Sequence, residues 1–137
     1  MKKLQITLMI MLGSFFFTNG AVAQNKPLAC QVDEAAGLDW ANGRWSSTLF
    51  KTQKFILVQA GNTLTTESVA KVINNKLPNT ISCRYNAPEI TCLDPAGRML
   101  YFNPQVLRGG TSRLFGSTMD GANRDSVVVE IFSCTPF

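Results

Sequence analysis

No histidine occurs among the 137 residues. The side chain most used as a general base at neutral pH, as the relay of a serine triad and as a neutral metal ligand is therefore missing, and most hydrolase templates close with it. Charge is sparse as well: Asp, Glu, Lys and Arg make up 16% of the chain. No run of like charge or interleaving of basic and aromatic residues marks a nucleic-acid surface, so no nucleic-acid partner is expected. The nine carboxylates are scattered from Asp33 to Glu130, and no spacing draws two of them into an acid/base pair. They read as solvated surface groups, some with turn roles. Close cysteine pairs of the C-x-x-C kind are also lacking; the nearest two, Cys83 and Cys92, lie nine positions apart. A zinc site through these residues is not expected, nor any cofactor. Internal repeats and low-complexity runs are absent from the sequence.

What is present begins with an export signal. Met1-Lys2-Lys3 is a positive n-region, residues 4–17 form an apolar h-region, and Ala21-Val22-Ala23 is the small-residue pattern that precedes cleavage. Residues 1–23 therefore read as a signal peptide and residues 24–137 as a single β domain, periplasmic or secreted. The apolar stretch is short of the ~20 residues that cross a bilayer as a helix, so no stable membrane insertion is expected after cleavage. Removing 23 residues from 137 leaves 114, enough for one domain. Of the 13 Lys and Arg, Lys2 and Lys3 leave with the leader, so 11 stand against 9 acids and the mature charge is +2. Pro27-Leu28-Ala29-Cys30 is similar to a lipoprotein box. Proline stands where such boxes carry leucine, and polar residues separate Cys30 from the h-region, which leaves Cys30 as a disulfide partner.

All four cysteines, Cys30, Cys83, Cys92 and Cys134, fall in the mature part, and an exported chain meets oxidising conditions. Four cysteines allow three connectivities. Asn86-Ala87-Pro88 lies midway between Cys83 and Cys92, so a hairpin there sets that pair opposite one another, and the first and last strands of a closing barrel would unite Cys30 with Cys134. A link from Cys30 to Cys83 is the competing arrangement.

The fold class follows from turn chemistry. Asp94-Pro95-Ala96-Gly97 suits a type I turn closed by a left-handed glycine, between strands at residues 89–93 and 99–102. Asn42-Gly43 signals a second hairpin. Residues 30–33 read as the first strand, broken by Ala35-Ala36-Gly37. Residues 54–60 are apolar on both faces, and the element after them should cover one. That element, residues 66–74, carries Val69, Val72 and Ile73 at helical spacing behind Thr65 or Thr66 as N-cap, and is the one helix expected. Further strands are expected at 80–85, 111–115 and 126–134. Asn103-Pro104, Arg108-Gly109-Gly110 and Asp120-Gly121-Ala122-Asn123 supply the turns between them. The prediction is an all-β domain, a small antiparallel barrel or sandwich of seven to eight strands with one short helix and two disulfides. An outer-membrane barrel, suggested by Phe137 and the alternation of Val127, Val129 and Ile131, needs strands of about 9 to 11 residues, longer than 99–102 allows.

Gly43-Arg44-Trp45 resembles the G-x-W signature of lipocalins, which would place Trp45 at the base of a ligand-holding barrel; ordinary core packing is the alternative. Arg98, Arg108, Arg113 and Arg124 fall in or beside turns and strands of the C-terminal half. Arg98, Arg108 and Arg113 form the candidate binding surface, with Arg124-Asp125 as a local ion pair or turn anchor.

Two resemblances rest on these residues. Cys92-Leu93-Asp94-Pro95-Ala96-Gly97, Tyr101-Phe102, Arg113-Leu114-Phe115-Gly116 and Arg124-Asp125-Ser126-Val127 through Phe132-Ser133-Cys134-Thr135 resemble a group of small secreted proteins of Gram-negative bacteria, a resemblance that takes in residues 40–57 and transfers no activity. The domain is also similar to the periplasmic inhibitors of c-type lysozyme, small barrels that insert a loop into the enzyme's cleft. Their Ser-Gly-x-x-Tyr motif is matched here by Ala96-Gly97-Arg98-Met99-Leu100-Tyr101. Alanine replaces the serine and the tyrosine comes one place late, so the inhibitory residues do not carry over. The expected function is binding, not catalysis: an exported interaction module for an envelope or extracellular protein, or alternatively a small-ligand barrel.

Overall fold

A computed structural model describes residues 24–114 and 126–137. The leader at 1–23, the turn Asp120-Gly121-Ala122-Asn123, Phe115 and the pair Arg124-Asp125 lie outside the described residues. The chain is organised by its first strand, β1 (Asn25–Ala41). One edge of β1 pairs with β3 (Lys54–Ala60) along its first half and with β2 (Arg44–Leu49) along its second. The other edge takes β9 (Val127–Pro136). After β3 come β4 (Thr63–Leu64), the helix α1 (Thr66–Val72), a 3-10 turn at Pro78–Thr80, then β5 (Ser82–Asn86), β6 (Glu89–Leu93), β7 (Met99–Asn103) and β8 (Arg108–Arg113). Every pairing among the described residues is antiparallel, and the path β4-β3-β1-β9-β8-β7-β6-β5 curls until its ends face one another. The result is a nearly closed eight-strand barrel-like sheet, with β2 paired to β1 off that path.

The expected break at Ala35-Ala36-Gly37 does not occur. The strand continues, and the β1–β9 register instead shifts between Val32 and Glu34, leaving Asp33 as an extra residue. Leu28, Cys30 and Val32 are buried before this bulge and Ala35 after it, because one inserted residue flips the parity of everything downstream. Gly37 serves close approach: a Cβ there would lie 1.9 Å from the Val127 carbonyl oxygen. The same reason corrects the turn expected at Arg108-Gly109-Gly110, which is strand. A Cβ on Gly109 would meet the Tyr101 carbonyl oxygen at 2.2 Å and the Phe132 ring at 2.4 Å. These glycines mark crowding between strands.

Asn42 and Gly43 both have positive φ, 52° and 75°, the requirement of a tight hairpin turn whose twist matches its strands. Gly97, at φ 75°, closes the β6–β7 hairpin; its N–H donates to the Asp94 carbonyl at 3.0 Å.

The core fills the barrel. Phe132 meets Phe55 edge to face at 5.1 Å and stacks on Phe102 at 6.3 Å, among fully buried Leu57, Ile90 and Leu100. Each such side chain stabilises the fold by roughly 1.5–3 kcal/mol. Val69 and Val72 of α1 and its C-cap residue Ile73 enter this same cluster. The helix therefore shares the core with Leu57 and does not cover the other face of β3, where Ile56 stays exposed. Val58 N–H, on the β3 edge beyond the two-residue β4, donates to Ser68 Oγ at 3.1 Å, which latches α1 to the sheet. Ser68 Oγ–H in turn donates to the Thr65 carbonyl.

Both expected disulfides are formed, Cys30 with Cys134 and Cys83 with Cys92, and no free cysteine remains. Each joins residues directly opposite in register, across β1–β9 and across β5–β6. Bonded Cys30 is the disulfide partner expected in place of a lipidated residue, and two structural disulfides mark a chain that folds under oxidising conditions. No helix among the described residues is long and apolar enough to cross a membrane.

Candidate functional site

Side-chain parity along β8 and β9 builds the site. Phe132 and Leu100 are buried, and Gly109 pairs with Phe132, Thr111 with Leu100 and Glu130, and Arg113 with Val128. Because residues two apart share a face, Thr111, Arg113 and Glu130 continue the inward face of the barrel toward one end. The apolar core gives way there to polar groups. A cavity of about 510 Å³ opens at that end, lined by Phe50 and Lys51 after β2, Lys71 to Asn74 at the close of α1, Arg98 beside the β6–β7 turn, and the inward residues of β8 and β9.

Arg98 and Arg113, expected to share a surface, do meet at this mouth. Their situations differ. Arg98 Nε donates to Asp94 Oδ2 at 2.6 Å, and Nη1 donates to the carbonyl oxygen of Asn74. Asp94 has a wholly buried side chain that also accepts from Arg98 N–H at 2.9 Å and from Asn75 Nδ2 at 3.2 Å. Asn74 is the left-handed residue ending α1, with φ 54°, and Asn75 N–H returns to the Ala70 carbonyl as in a Schellman cap. Arg98 therefore joins the central hairpin to the end of the helix.

Arg113 has no such clamp. Its Nε is buried and makes no hydrogen bond among the described residues. Lys51 and Lys71 are exposed at the rim, and neither they nor Arg113 has an ion-pair partner among the described residues. Glu130 is the one carboxylate lining the cavity among the described residues, and its Oε2 accepts from Thr111 Oγ1 at 2.6 Å. Among the described residues three unpaired cations thus face one carboxylate, while the Asp94–Arg98 charges cancel locally.

Arg108 does not join this cluster. It sits at the opposite end of β8 and on the other parity, lining an open groove on the outside of the sheet with Asp33, Tyr101, Val106 and Ile131. Asp33 there accepts from Ser133 Oγ at 3.0 Å. Trp45 is half-buried and lies edge to face against Trp40 at 5.2 Å on the β1–β2 hairpin, outside the core cluster. Neither the barrel-base role that Gly43-Arg44-Trp45 suggested nor core packing describes it. No group of three or more Cys, Asp or Glu able to hold a metal is present among the described residues.

Sequence reasoning missed Lys51, Lys71 and Glu130, and took in Thr111 only as part of the stretch from Arg108 to Arg113. For the strand residues a signal existed: Thr111 and Glu130 are polar residues on the same parity as the buried Phe132 and Cys134 once the register is known. For the lysines none did, since a loop and a helix end bring them in.

Fold and site together define a disulfide-stapled antiparallel β-barrel with a cationic, partly apolar mouth. No family model, curated protein or solved structure matches the chain.

Proposed function

We propose that this chain is an exported binding module, acting in the periplasm or outside the cell, whose recognition site is the barrel mouth. The observation that carries the reading is Arg113, a residue of the cavity lining that has no ion-pair partner and whose buried Nε makes no hydrogen bond among the described residues. A buried donor without a partner costs about 1–3 kcal/mol, and a bound group that accepts from it removes that cost. Two further features support binding over turnover. All four cysteines are bonded, and the carboxylates at the site among the described residues already accept hydrogen bonds, Asp94 from Arg98 and Glu130 from Thr111. Recognition by an inserted hairpin tip, as in the lysozyme inhibitors, is the weaker version, because the Asp94–Arg98 turn is tied back to the helix.

Native mass spectrometry of the oxidised chain purified from an envelope fraction tests the proposal. The wild type should carry a ligand that denaturation releases, and Thr111→Trp, which fills the mouth, should emerge without it while still unfolding as one cooperative unit. An equal load on the filled variant, or consumption of the ligand during incubation, overturns the reading.

A further inference from the structure

Resting on the mouth as the recognition site, we propose that its ligand is a small organic monoanion with an apolar body, its acid group held by Arg113 and its body lying on Phe50, Val72 and Ile73. Three observations converge on this class. Among the described residues, the unpaired charges around the cavity are Lys51, Lys71 and Arg113 against Glu130, so their field favours a negative group. Inside the rim the wall is apolar, with Val72, Ile73 and Val128 nearly buried and Phe50 packed against the core. The cavity, about 510 Å³, falls within the range typical of small-molecule sites.

The wall also sets the number of charges. Glu130 Oε2 is held by Thr111 Oγ1, so the carboxylate is fixed in the cavity lining, where it would repel a second negative charge on the ligand. A carboxylate matches the planar fork of a guanidinium through two parallel hydrogen bonds, and Arg113 Nε is one of the donors such a fork uses. The rim lysines, being exposed and flexible, add attraction that salt screens.

The test uses octanoate, 1-octanol and octyltrimethylammonium, which share an eight-carbon body and differ in charge, titrated into the oxidised chain by calorimetry with amide-shift mapping. Octanoate should bind with shifts at Thr111, Arg113 and Glu130, at least about tenfold more tightly than octanol, since a charge-assisted hydrogen bond is involved. Raising NaCl from 20 to 300 mM should weaken it. Arg113→Met, which keeps an unbranched apolar stem, should cost about tenfold or more in octanoate affinity without touching octanol, and Glu130→Gln should strengthen octanoate. If octanol or the ammonium compound binds at the same residues as tightly as octanoate, the mouth stands as the recognition site and the anion assignment falls. If no probe perturbs Thr111, Arg113 or Glu130, both fall.

Discussion

Arg98 Nε lies 2.6 Å from Oδ2 of Asp94, whose side chain has no solvent exposure. Both residues belong to one hairpin, but the pair does more than close it. Asn75 Nδ2 reaches the same Oδ2, and Arg98 Nη1 reaches the Asn74 carbonyl oxygen. A charge complement local in sequence thereby ties the centre of the sheet to the end of α1 and sets one wall of the mouth.

Arg98→Ala should consequently destabilise the domain. Removing one partner of a buried ion pair costs about 3–5 kcal/mol, and because the Arg98 side chain is 21% exposed the expected loss is nearer 2–4 kcal/mol. The backbone N–H of residue 98 still bonds Asp94 Oδ1, so Asp94→Asn on top of the first change should restore part of the loss. Urea unfolding of the two single variants and the double variant measures the coupling. A loss below about 0.5 kcal/mol for Arg98→Ala would show the pair to be screened like a surface bridge.

The two disulfides should contribute unequally. Cys30–Cys134 spans 104 residues and Cys83–Cys92 spans 9, and in the chain-entropy model they constrain the unfolded state by about 4.7 and about 2.6 kcal/mol respectively. Cys30→Ser with Cys134→Ser should therefore lower the denaturant midpoint well beyond the Cys83→Ser, Cys92→Ser variant. Equal losses from both variants would mean that native-state effects outweigh loop length.

Much of the fold was legible because local rules and global closure agree. Asp94-Pro95-Ala96-Gly97 and Asn42-Gly43 form the turns their residue types demand. The paired cysteines lie opposite one another because a hairpin and a closing barrel put them there. Illegible were features owed to crowding across the sheet. Gly37 and Gly109 look like turn residues in a one-dimensional reading, yet each is glycine because another strand's backbone passes where a Cβ would be. The bulge at Asp33 resets the parity of β1 without any mark in its composition. The candidate site divided along the same line. Arg98 and Arg113 meet because β7 and β8 are neighbours in register, whereas Arg108, five residues from Arg113, lies at the far end of the same strand and on its other face.

Gly37→Ala isolates that crowding. The new methyl group would fall 1.9 Å from the Val127 carbonyl oxygen and 2.9 Å from its carbon, both backbone atoms, so the strands must part. Overpacking of this kind costs about 1–3 kcal/mol. The loss should come with faster amide exchange in the β1–β9 ladder around Val127 and Val128, while β5 to β7 keep their protection. Uniform loss of protection, or no loss of stability, would contradict a local steric cause.

Ser68 gives the sharpest test of how the helix is held. β3 is flanked by β4 for only two residue pairs, Gln59 with Leu64 and Ala60 with Thr63. Val58 therefore sits where the ladder runs out: its carbonyl accepts from Thr65 N–H at 2.9 Å and its N–H donates to Ser68 Oγ at 3.1 Å. Ser68 is itself buried, so water has little access to the donor it satisfies. Ser68→Ala keeps helix propensity and removes only the hydroxyl, leaving Val58 N–H without its acceptor at a cost of about 1–3 kcal/mol. Hydrogen exchange at the Val58 amide should accelerate by more than that of Leu57, whose partner lies on β1. Octanoate affinity should fall only modestly, since α1 loosens at its first turn and the mouth uses its last. If the Val58 amide keeps its protection in Ser68→Ala, the helix is held by Val69, Val72 and Ile73 in the core alone, and the hydroxyl latch contributes nothing.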